Sequence, residues 1–174
     1  RGTLFPDDSE KAILALTLAT GAAGAGAFAG SVVTPRLSRT IGTVRWQALA
    51  FVTGAIIGAI GLALASLPGL MLGGLAIGFA GQCVKVCADT IVQEDVEDDH
   101  RGRVFALYDV GVNVAIVVGL TAAAFVAPAT GQSLMVCAWI VAQAVVGSWW
   151  ALTAERRDPA RSYAADPEAL PEGD

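Results

Sequence analysis

Apolar residues in this chain collect in long runs, and most charged residues lie in short knots between them. Five runs stand out: Ala12 to Val33, Gln47 to Leu67, Leu70 to Thr90, Val104 to Ala127 and Ser133 to Leu152. Each reaches the roughly 20 residues that a helix needs to cross the hydrocarbon of a bilayer. Lipid offers no hydrogen-bond partner to a backbone amide, so a spanning segment closes its own bonds as a helix or a barrel. A barrel would alternate apolar and polar positions in short segments, and these runs do not alternate. The predicted fold is therefore an all-α membrane protein with five transmembrane helices, a bundle over residues 1–157. The remainder, "DPARSYAADPEALPEGD", is rich in proline, alanine and acid and reads as a disordered tail over residues 158–174.

The connections alternate in character. "LPG" and "PATGQ" are tight and uncharged. "TPRLSRTIGTVRW" carries Arg36, Arg39 and Arg45, "QEDVEDDHRGR" carries Arg101 and Arg103, and the fifth run ends at Arg156 and Arg157. These arginines fall on one side, and the positive-inside rule makes that side the cytoplasm of a multi-pass protein of the cell membrane. The N-terminus is then outside and the C-terminus inside. Lys11, on the outer flank, is the one dissenting charge.

Composition sharpens this picture. Apolar residues make up 55% of the chain and charged residues 16%, against about 45–50% and about 25% in soluble domains. The net charge of −5 comes mostly from one acidic knot and the tail, and nothing suggests a nucleic-acid surface. No phosphate-binding loop, HExxH, Ser–His arrangement or paired membrane aspartates occur, so neither an enzyme nor a cofactor is expected. Cys83, Cys87 and Cys137 lie within apolar runs without metal-site spacing and read as packing residues. The chain begins at Arg1 with no signal peptide and reads as a fragment or processed piece.

Small residues recur at four-residue spacing: Gly26 and Gly30, Gly54 and Gly58, Gly69 and Gly73, Gly74 and Gly78. Helices in lipid associate by close packing, and glycine lets backbones approach, so these pairs predict a tight internal bundle. Trp46, Trp149 and Trp150 sit at run ends and read as interfacial anchors.

The polar exceptions within the runs are the candidate chemistry. Gln82, Lys85 and Asp89 are spaced by three and four residues and share one helix face. Intramembrane charge seldom faces lipid, so that face is expected to point inward. Two readings stay open: a structural or interfacial ion pair, with Lys85 snorkelling to the headgroups, or a place in a substrate or proton pathway. A lysine preceding its acid is the weaker order for a helix pair, so Lys85 has reason to seek another partner. Asp109 and Asn113 share a face of the next, antiparallel run near the same end, and Asp109 is within reach of Lys85, Arg101 or Arg103. His100, the only histidine, lies among acids and reads as a solvated loop residue.

The five runs, the loop "PRLSRTIGTVR" and the stretch "HRGRVFALYDVGVNVAIVVG" resemble the carboxy-terminal half of a major facilitator superfamily transporter, closest to bacterial drug-efflux-like members. The resemblance implies spans eight to twelve of a twelve-span fold. In the family's loop motif Arg39 and Gly42 fit, Ser38 stands where an acid would be, and Arg45 remains of a basic pair. The resemblance further implies that the third run lines a central cavity, that the second and fifth are peripheral, and that Lys85, Asp89 and Asp109 form a cytoplasmic gate. The expected function is part of a secondary active transporter, moving a small molecule by proton-coupled efflux. Its partners would be the lipid bilayer, the small-molecule substrate and the missing amino-terminal half or another completing membrane protein. The alternative is a non-transporting five-span scaffold or partner subunit.

Overall fold

A computed structural model of the chain describes residues 9–64, 66–96, 98–126 and 134–157. The described residues form five helices: α1 (Ser9–Ile41), α2 (Thr43–Ala63), α3 (Leu67–Asp95), α4 (Asp98–Val126) and α5 (Leu134–Arg157). All five are long and apolar enough to cross a membrane. The "PATGQ" turn and the predicted tail lie outside the described residues.

The helices outrun the apolar spans. α1 has 33 residues, about 50 Å at 1.5 Å per residue, against a hydrocarbon core of about 30 Å. The segment "TPRLSRTI", read from sequence as a loop, is the last part of α1, which continues through Pro35 to Ile41. Gly42 alone links α1 to α2, with φ 96° and ψ 141°. A side chain there would clash with its own backbone, so only glycine makes this turn without strain. Its amide closes α1 by donating to the Ser38 carbonyl at 2.9 Å, and its carbonyl accepts from the Trp46 amide at 2.9 Å. On the far side, Ser66 caps α3: its Oγ accepts from the Gly69 amide at 3.2 Å, and Pro68 sits in the first turn, where no donor is needed.

α3 is the centre of the bundle, packed between α1 and α2, with α5 on the outer side of α2. Glycine makes this possible on two faces of one helix. A Cβ on Gly74 would lie 2.5 Å from the Ala19 carbonyl oxygen, and one on Gly30 would lie 2.8 Å from that of Phe79. Gly78 and Gly26 are pressed still closer, against the Ala23 and Leu75 carbonyls. The other face of α3 meets α2: Gly69 and Gly61 abut each other's carbonyl oxygens, and Gly73 packs on Gly58 and Gly61. Contacts climbing from Ala19 with Gly74 to Gly30 with Gln82 make α1 and α3 parallel. Those from Gly54 with Ala80 to Gly61 with Gly69 make α2 antiparallel to them.

α2 has α3 and α5 on two of its faces, and α5 packs on α2 alone among the described helices. One placement differs from expectation: Trp46 is not an interfacial anchor. It is 8% exposed, because its position on α2 faces the bundle. There it meets Phe79 edge-to-face at 6.4 Å, and its indole N–H donates to Thr34 Oγ1 at 3.3 Å. The fully buried thiols of Cys83 and Cys87 complete this core. Trp149 and Trp150, by contrast, are exposed at the end of α5.

Candidate functional site: a charge cluster between the third and fourth helices

α4 meets the described bundle only through α3. The connection between them is short, Val96 and Glu97, so the two helices run antiparallel and the register is fixed. Arg101, in the second turn of α4, reinforces that corner: its guanidinium donates to the carbonyls of Gln93 at 3.1 Å and Val96 at 3.2 Å. Those carbonyls belong to the negative end of α3, where a cation is favoured. His100 and Arg103 lie on the same first turns of α4, on a helix and not in a loop, and are exposed.

This register brings Asp109 to Lys85. The Lys85 ammonium lies 3.7 Å from an Asp89 oxygen, one turn along α3, and 3.8 Å from an Asp109 oxygen across the corner on α4. Side-chain exposures are 54% for Lys85, 31% for Asp89 and 62% for Asp109. The cluster therefore opens to a side that no other described helix covers. The same ammonium lies 6.0 Å from the centroid of the Tyr108 ring, at the outer range of a cation–π contact. Tyr108 was not anticipated; its position beside Asp109 on the antiparallel helix was the available signal.

The other two polar candidates go elsewhere. Gln82 packs its Cβ against Gly30 of α1. The Asn113 amide donates to the Asp109 backbone carbonyl at 2.7 Å, within its own helix. One ammonium thus faces two carboxylates, one within its helix and one across a helix boundary.

Of the loop-motif residues, Arg36 and Arg39 lie in the last turns of α1, Gly42 makes the turn, and Arg45 lies in the first turn of α2. With α1 and α3 parallel, these arginines share one end of the bundle with Arg101 and Arg103.

The model of the Major Facilitator Superfamily matches residues 9–171. The chain belongs to that family. It is 37% identical over 116 residues to an uncharacterized MFS-type transporter of Mycobacterium bovis, covering 64% of this chain and 25% of the relative. The same figures hold for an uncharacterized MFS-type transporter of Mycobacterium tuberculosis. The chain thus spans about a quarter of the length of these curated relatives. No solved structure matches it significantly. Membership of a transporter family, with five apolar helices, makes this a multi-pass membrane protein with a partial major facilitator fold.

Proposed function

We propose that this chain is part of a secondary active transporter that exports a small, amphipathic molecule across the cytoplasmic membrane in exchange for protons. The observation that carries the reading is the position of Lys85, shared between Asp89 on its own helix and Asp109 on α4. Alternating access rocks one half of such a protein against the other around a site between them. A gate for that motion needs an interaction that one state makes and the other breaks. The Lys85–Asp109 bridge crosses between helices, and the Lys85–Asp89 pair does not. Movement of α4 would therefore break the first and leave the ammonium neutralised by the second. Protonation of Asp109 would have the same effect, which supplies a link between proton binding and opening.

On this reading the arginine-bearing end is cytoplasmic, and the carboxy-terminus lies there too. The missing amino-terminal half would cover the open side of α4 and complete the cavity.

The test is flux in inverted membrane vesicles containing the chain together with the half that completes it, as the native cell makes the protein, with a fluorescent amphipathic cation as the transported probe. Acidifying the vesicle interior should drive probe uptake, and a protonophore should abolish it. Uptake that survives the protonophore would remove proton coupling. A pH gradient that moves no probe, across a panel of amphipathic compounds, would remove efflux.

A further inference from the structure

Coverage along α4 is uneven. Among its described side chains, Arg101, Val104, Phe105 and Tyr108 are half-buried, and every described one from Asp109 onward is exposed. Their spacing puts the four on one stripe of the helix, and that stripe faces α3, the one described helix that α4 meets. The contact is thus a wedge. It is clamped at Arg101, whose guanidinium holds the α3 carbonyls of Gln93 and Val96, and it is open beyond Tyr108. Tyr108 is the last covered residue, about 10 Å along the helix from the clamp.

The Lys85 ammonium lies at that opening, with two carboxylate oxygens in reach: Asp89 at 3.7 Å and Asp109 at 3.8 Å. Distance gives the lysine no preference between its own helix and α4. Its four-carbon stem is flexible and its side chain is 54% exposed, and exposed ion pairs are weak. What breaks the tie is Tyr108. The ammonium lies over its ring, 6.0 Å from the centroid. The face of an aromatic ring carries negative potential and attracts a cation. This ring belongs to α4, so its pull adds to that of Asp109 and not to that of Asp89. Unlike a carboxylate, it keeps that pull whether or not a proton has arrived.

We propose that Tyr108 is a positioning residue of the gate: its ring seats the Lys85 ammonium on the α4 side and sets how often the Lys85–Asp109 bridge forms. The ring face acts, not the phenolic hydroxyl. This seat rests on the gate reading for its consequence in transport: a lysine held by the ring stays beside Asp109 while that carboxylate is protonated, and the bridge re-forms when the proton leaves. The seat itself belongs to the α3–α4 contact and is measured without transport.

The experiment takes the chain with the half that completes it, in nanodiscs with no gradient, and measures the separation of α3 and α4. Nitroxide labels go on Gly81→Cys and Val112→Cys, both exposed and each about one turn from the cluster on the open side of the wedge. Cys83, Cys87 and Cys137 are buried. Double electron–electron resonance reads the ratio of near to splayed populations. Tyr108→Leu should lower that ratio about two- to fivefold, the range of a cation–π contact at an exposed site, and Tyr108→Phe should leave it unchanged. With Lys85→Ala in place, Tyr108→Leu should have no further effect, because the ring then has no cation to hold. Phenylalanine bearing successively more ring fluorines at this position should lower the ratio step by step, since each fluorine withdraws charge from the ring face. A ratio indifferent to fluorination, an equal loss in Tyr108→Leu and Tyr108→Phe, or an undiminished effect beside Lys85→Ala overturns the proposal. If Tyr108→Leu does not fold, the fluorinated series decides alone, because it alters charge and hardly size. Absence of proton-driven flux would remove the gate reading and leave these populations as they are, so the two failures are told apart.

Discussion

The same substitution made twice on α3 should change stability in opposite directions. In Gly74→Ala the new Cβ would lie 2.5 Å from the Ala19 carbonyl oxygen, where ordinary contact begins at 3.4 Å. The shortfall of about 0.9 Å is met by backbone, not by the tip of a flexible side chain, so α1 and α3 must move apart along their glycine seam. Overpacking of this kind costs about 1–3 kcal/mol. Replacing a helical glycine by alanine returns about 0.5–1 kcal/mol, leaving a net loss of up to about 2.5 kcal/mol. In Gly81→Ala, two turns on, nothing lies within 4 Å of the new atom. Only the favourable part remains, and the variant should be unchanged or up to about 1 kcal/mol more stable. Reversible unfolding in mixed micelles, followed by far-ultraviolet circular dichroism, measures both. Equal shifts of the same sign would refute the reasoning, because the α1–α3 seam would then not be set by backbone contact at Gly74.

Other expectations follow from single contacts. Gly42→Ala places a side chain at φ 96° and should destabilise by about 1–3 kcal/mol, read as a lowered thermal midpoint. Thr34→Val removes the acceptor of the Trp46 indole N–H inside the bundle; a buried donor left without a partner costs about 1–3 kcal/mol, again visible in unfolding. Arg101→Ala removes two bonds to carbonyls at the end of α3 and should speed amide exchange in the α3–α4 corner while leaving the α1–α3 seam protected. A tag at the carboxy-terminus, read in the native cell, should report a mass of at least about twice 17.7 kDa, enough for a second half; a band at 17.7 kDa would favour the scaffold reading instead.

The sequence shows the five helices because lipid imposes about 20 apolar residues on each span. It hides their ends, because a helix that leaves the hydrocarbon need not stop. The segment from Thr34 to Ile41 has the proline, arginine and hydroxyl residues of a loop, yet α1 runs through it and one glycine makes the turn. Trp46 was misread for a related reason. Its place at the start of a span suggested the headgroup layer, but the direction of its side chain depends on which face of α2 meets α3, and an apolar-all-round helix does not reveal that. The glycine pairs were legible, although their spacing alone did not say that Gly69–Gly73 would serve α2 and Gly74–Gly78 would serve α1. The charge cluster was legible because a short turn between antiparallel helices fixes which residues lie opposite. Gln82 and Asn113 share those faces by spacing, but one packs on a glycine and the other bonds its own backbone.

The gate is tested most directly by a double-mutant cycle on proton-driven flux, using Lys85→Ala, Asp109→Asn and both together. The bridge is 3.8 Å long and both side chains are more than half exposed, so a coupling of about 0.5–1 kcal/mol is expected, a two- to fivefold departure from additivity. The same cycle with Asp89→Asn should give a separate coupling, because on the proposed reading Asp89 would hold the lysine when α4 moves away. Strictly additive effects of Lys85→Ala and Asp109→Asn would contradict the account, since the two residues would then not act through one bridge.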